Sequence, residues 1–150
     1  MTTNPHFESV ATIAEARAKL SFEPREPSFT RGVKASGLRI HVLDHKRREL
    51  TVEQRSLEVY YPGFVVTQAW KGRAEARRLA LEVSYGREPQ SARIGIHDAR
   101  LYELGPVPPP DDIDGRSPSV VTWSDGDVFL LIASSELPVA DLVPIAQSMG

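Results

Sequence analysis

The feature that most restricts this chain is the run Val128-Phe129-Leu130-Leu131-Ile132-Ala133, which is apolar on both alternating faces. A strand exposed on one side alternates apolar and polar residues, whereas one apolar on both sides is central and covered above and below. The residues before it, Ser119 to Trp123, read as a second strand, and Asp125-Gly126 supplies a two-residue turn signal between them. After it, Val139, Leu142, Val143, Ala146 and Met149 fall on one helical stripe. Pro138 suits a first helical turn. Pro144 predicts a kink or a fresh start, because proline removes a hydrogen bond and clashes one turn back.

Upstream, Thr12-Ile13-Ala14-Glu15 is a capping-box pattern opening a short helix over about 12–20. Pro24 and Pro27 end it and force an extended linker. Leu38, Ile40 and Val42 alternate with polar residues, as do Leu57, Val59 and Tyr61. Tyr61-Pro62-Gly63-Phe64 predicts a type II turn into a strand over 64–70. Residues 79–85 alternate again, and 92–96 with 101–104 suggest a strand pair or one bent strand. Residues 105–118, with five prolines, form a long loop, and residues 1–11 are expected to be flexible.

The fold class expected is a single α+β domain: a twisted, mostly antiparallel sheet of about six to eight strands, with the C-terminal helix and a short N-terminal helix on one face. The expected core is Ile13, Leu20, Ile40, Val42, Leu57, Val59, Val66, Leu81, Val83, Val121, Trp123, Leu130, Ile132, Leu142 and Ala146.

Composition narrows the chemistry. There are no cysteines, which excludes disulfides, thiolate nucleophiles and Cys-based zinc sites. No apolar run approaches the length of a membrane span, and the N-terminus lacks a signal-peptide pattern, so the chain reads as soluble and cytoplasmic as given, or extracytoplasmic if an anchor precedes it. Arg outnumbers Lys and Asn occurs once, a bias shared by thermophiles and GC-rich genomes. Net charge is −2, unevenly placed: residues 101–150 hold 8 of the 20 acidic residues and one of the 18 basic ones. Either this polarity cancels locally, strand beside strand, or it leaves a bipolar surface that steers a charged partner.

Candidate chemistry is sparse. His41 and His45 lie about 13 Å apart on a continuous strand, too far for one metal ion, and Asp44 points the other way. His97 and Asp98 are adjacent and so face opposite sides of a strand. Asp111 to Asp114 resemble part of a calcium loop, but counting from Asp112 puts Trp123 where a bidentate Glu belongs. His45-Lys46-Arg47-Arg48, with Arg73, Arg77 and Arg78, could touch phosphates, yet no nucleic-acid-binding motif surrounds them. Trp70, Trp123, Tyr60, Tyr61, Tyr85 and Tyr102 sit at strand positions, as packing residues or as a binding surface on a curved sheet.

The run Val120 to Gly126, then Val128 to Ala133, then Leu142-Val143-Pro144-Ile145-Ala146-Gln147-Ser148-Met149, resembles an uncharacterised bacterial domain. That domain closes membrane-anchored chains similar to anti-sigma factors and lipoprotein-sorting proteins. Ile13 to Ala16, then Phe22-Glu23-Pro24 and Pro27, resemble its front end. The resemblance implies the fold and carries no catalytic residues.

Three functions remain. The first is a non-enzymatic binding or sensor module, with no cofactor, no metal and no nucleic acid, using the sheet and the 105–118 loop to hold a protein or a small apolar ligand. Its candidate residues are Arg47, Arg48, Trp70, Tyr102, Asp112 and Asp114. The second is a hydrolase-like or metal-dependent enzyme around His97, Asp98 and Asp111 to Asp114. The third is an intracellular interaction module using His45 to Arg48.

Overall fold

The computed structural model describes residues 5–44, 46–70, 88–103, 105–106 and 116–149. Its main body is an open eight-stranded antiparallel sheet in the order β1-β2-β3-β4-β10-β9-β6-β5. The strands are β1 (Phe7–Val10), β2 (Gly37–His41), β3 (Ser56–Tyr61), β4 (Phe64–Trp70), β5 (Gln90–Ile94), β6 (His97–Tyr102), β9 (Ser119–Asp125) and β10 (Val128–Ser134). Two short strands, β7 (Gly105–Pro106) and β8 (Arg116–Ser117), pair separately at the base of the proline-rich loop. Among the described residues the α-helices are α1 (Ile13–Arg17) and α2 (Val139–Gln147).

β10 is central, hydrogen-bonded to β4 on one side and β9 on the other. Val128, Leu130 and Ile132 face the main core with Val121, Trp123, Val66, Leu57, Val59 and Ile40. Leu131, with Val120 and Tyr102, forms a smaller cluster on the opposite face, where Phe129 and Ala133 are partly buried. Ala16 of α1 and Val139, Leu142, Ile145 and Ala146 of α2 join the main core, so the two helices cover the same face. Among the described residues no helix is long and apolar enough to cross a membrane.

Several expectations shift in detail. β1 lies inside the segment expected to be flexible and pairs in register with β2, from Phe7↔His41 to Val10↔Leu38. The N-terminal helix is shorter than 12–20 and ends at Arg17. Thr12 Oγ accepts from the Glu15 N–H at 3.1 Å, while the Glu15 carboxylate reaches one residue further than a capping box requires and accepts from Ala11 N–H at 3.0 Å. Residues 90–102 form a strand pair, not one bent strand. The β9–β10 turn is Gly126-Asp127, one residue later than Asp125-Gly126, because Asp125 pairs with Val128. Gly126 takes φ 60° at the first turn position, as a II′ turn demands. At Tyr61↔Phe64, Gly63 has the positive φ that a type II turn requires at its second central residue.

α2 runs unbroken through Pro144. Pro144 and Ala140 are both exposed, so the Ala140 carbonyl that loses its N–H partner faces solvent. Of the expected core, Ile13 and Val42 are only half-buried against it, and Leu81 and Val83 lie outside the described residues with the 79–85 strand.

The extended linker is fastened to the sheet by one side chain. Gln68 on β4 is fully buried. Its Nε2 donates to the Arg25 carbonyl and its Oε1 accepts from the Arg25 N–H, each at 2.8 Å. Pro24 and Pro27 on either side are buried and have no N–H to satisfy. Replacing Gln68 by Leu keeps the volume and strips the Arg25 peptide groups of both partners. At about 1–3 kcal/mol for each unmade buried bond, Gln68→Leu should lower unfolding free energy in urea by about 2 kcal/mol or more. A change below about 0.5 kcal/mol would show that the linker does not depend on this contact.

Candidate ligand cleft

Where β4 ends and β9 turns into β10, the pinned linker leaves a cavity of about 260 Å³. Trp70, the last residue of β4, forms one wall beside Val128, its cross-strand partner. Ser21, Phe22 and Glu23 of the linker form another, and Asp125, Gly126 and Asp127 of the turn close the end. Among the described residues the wall is thus part aromatic and part acidic, with one cation, Arg25.

Arg25 has its charge matched. With its peptide groups held by Gln68, its guanidinium Nη1 reaches Asp125 Oδ2 at 2.5 Å, and Nη2 lies 3.5 Å from the Asp125 carbonyl. The other carboxylate oxygen of Asp125 lies 3.3 Å from His97 Nε2. β6 pairs with β9 through Ala99↔Trp123, so His97 falls opposite Asp125 two residues further along. Asp98 points away, is 94% exposed and meets Arg93 at 3.5 Å. The His97 partner is therefore Asp125, a residue absent from the sequence-derived candidates. Asp127 is exposed and has no ion-pair partner among the described residues.

The other sequence-derived candidates are scattered. Trp70 lines the cleft. Tyr102 is 2% exposed and packs with Val120 and Leu131 on the opposite face of the sheet. Arg47 and Arg48 belong to a tight turn organised by Asp44. Asp44 Oδ1 accepts from the Lys46 and Arg48 N–H groups at 2.8 and 2.9 Å, and Arg48 Nε donates to Oδ2 at 2.8 Å. These bonds, that of the Arg48 N–H foremost, hold the Asp44 carboxyl down at about 2. Arg47 takes φ 61°, the left-handed conformation such a turn needs. Asp111 to Asp114, Arg73, Arg77, Arg78, Tyr85 and His45 lie outside the described residues. Among the described residues no three His, Asp or Glu side chains gather in a metal-holding group.

On the far face, toward β1, the aromatic positions are engaged with one another. Arg39 lies 3.6 Å over the Phe7 ring and 5.1 Å from that of Tyr60, and 3.4 Å from both Glu58 oxygens. His41 stacks on Phe7 with ring centres 5.0 Å apart. The acidic last third also meets basic residues of the first, at Arg25–Asp125 and at Arg31–Asp141, 3.7 Å apart. The uneven charge of the sequence is balanced locally at these two places.

Family models, curated proteins and solved structures, compared with this chain, return no match.

Tyr60 offers a direct probe of the outer face. Burial, and then the hydroxyl's hydrogen bond to Glu58 at 2.5 Å, push its phenol up to about 12, against the opposing pull of Arg39. The folded value lies above the unfolded one of about 10. The contribution to stability is therefore full below pH 10 and lost as pH rises through 12. The phenolate absorbance that disappears in Tyr60→Phe should titrate near 12 in the wild type. A component titrating near 10 would mean that neither the burial of Tyr60 nor its Glu58 contact holds.

Proposed function

We propose that this protein is a non-enzymatic binding or sensor module whose ligand occupies the cleft at the β9–β10 turn. The observation that carries the reading is the construction of the cleft. Two aromatic side chains stand beside charged groups around a volume just below that of drug-sized pockets. The support is stiff, because Gln68 fixes the linker wall and the Arg25–Asp125 pair fixes the turn. Such a site recognises a small molecule with an apolar body by fit. The ribbon β7–β8 joins the two ends of the 105–118 loop, which belongs to the proposed binding region.

One observation favours a second reading, a hydrolase-like enzyme. His97 stands 3.3 Å from a carboxylate that lines the cleft, just beyond the reach of about 2.6–3.2 Å of a general base and its orienting group, and a small closure would bring the two together. In that reading His97 and Asp125 replace the pair His97 and Asp98. The basic loop carries less, because the Arg48 guanidinium is bound to Asp44.

Ser21 is exposed at the rim, so Ser21→Trp should plug the cleft without disturbing the core. A small-molecule screen read by thermal shift should yield ligands that raise the Tm of the wild type and leave that of Ser21→Trp unmoved. Ligands that stabilise both proteins equally would place the binding site elsewhere. Hydrolysis of an ester or phosphoester panel that disappears in His97→Ala would favour the enzyme.

A further inference from the structure

We infer that the ligand of this cleft is a small organic cation, an ammonium or amidinium head on an apolar body. The inference rests on the cleft being the binding site and adds the chemical class of what fills it. Among the described residues four charged groups line the cavity: Glu23, Arg25, Asp125 and Asp127. Arg25 and Asp125 cancel at 2.5 Å and Glu23 is paired with Arg17, so among the described residues the lining keeps one carboxylate without an ionic partner, Asp127, and no uncommitted cation. Glu23 is 66% exposed and gives one oxygen to Arg17 at 2.6 Å. Asp127 has no ionic partner among the described residues. An anion entering here would meet these carboxylates with the guanidinium already taken.

The walls add an independent preference. The faces of Trp and Phe rings attract cations, Trp most strongly, and the attraction grows where water is displaced. Trp70 is half-buried at the end of β4, and Phe22 is half-buried across the cavity, packed against the main core. Two rings and the unpaired carboxylate of Asp127 around about 260 Å³ suit a ligand with a positive head and a compact apolar body. A larger chain would not be enclosed.

The test uses benzylamine and benzamidine as cations, with benzyl alcohol and benzoate as neutral and anionic matches. Binding to the full chain is followed by NMR shifts of the Trp70 indole and of the Gly126 and Asp127 amides, at millimolar probe. The cations should bind about tenfold tighter than benzoate, and added salt should weaken them. Glu23→Gln combined with Asp127→Asn should cost the cations about fivefold to tenfold and leave benzyl alcohol unchanged. Ser21→Trp should abolish binding of every probe.

If benzyl alcohol or benzoate binds as well as the cations, and Ser21→Trp still blocks them, the cation class is overturned while the cleft reading stands. If the cations bind Ser21→Trp as tightly as the wild type, the cleft reading itself fails. If no cation shifts the cleft signals of the wild type, the inference is overturned.

Discussion

Everything in this fold depends on covering both sides of β10. Its residues Val128 to Ala133 offer no polar face to water, so the strand has to be flanked in the sheet and roofed on both surfaces. Flanking comes from β4 and β9, and the main roof from α2. Each buried Leu or Ile here contributes about 1.5–3 kcal/mol. A strand with three such residues on one face therefore outweighs any single polar contact in the protein. It also dictates an unusual order of assembly. The C-terminal hairpin enters between β4 and β6, and the earlier hairpin β5–β6 is displaced to the sheet's margin.

The covering layer is then held by side chains that do the work of backbone. Gln68 pairs with both peptide groups of Arg25. Toward the β5 edge of the sheet Gln147 of α2 does the same for the β5–β6 turn, donating to the Arg93 carbonyl at 2.8 Å and accepting from Gly95 N–H at 2.9 Å. Ser134 accepts from the Glu136 and Leu137 N–H groups and donates to the Gly63 carbonyl, joining the start of α2 to the β3–β4 turn. Glu103 accepts from Val139 N–H at the first turn of α2, where the helix dipole favours negative charge. The cleft is a by-product of this fastening. The linker crosses the sheet, is stopped by Gln68 and Asp125, and leaves a gap beside Trp70 that neither of the described helices fills.

Most of the frame was legible because it follows from periodicity. The two-faced apolar run placed β10 in the interior, and the helical stripe placed α2 over it. Even the misread turn did little harm. Moving the turn from Asp125-Gly126 to Gly126-Asp127 changes the partner of Trp123 from Val128 to Leu130, and those two residues share a face. β1 went unseen because Phe-Glu-Ser-Val is four residues long with one buried position, too short for a pattern. The cleft was legible only at Trp70. Arg25 and Asp125 stand 100 residues apart, and nothing local marks either as a partner. Only the placement of β9 and β10 beside β4 brings the linker, the turn and His97 to one end of the sheet. An Arg between two prolines that needs a donor and an acceptor for its peptide is the one clue that careful reading of the linker offers.

The central claim is that β10 is the most deeply protected strand of the protein. Native-state hydrogen exchange measures this residue by residue. The amides of β10 that bond to β4 and β9, Leu130 to Ile132 among them, should exchange only through global unfolding, with those of the marginal strands β1 and β5 opening at far lower free energy. If the β10 amides exchange as readily as those of β1 and β5, the strand is not the buried centre, and this account of the fold fails.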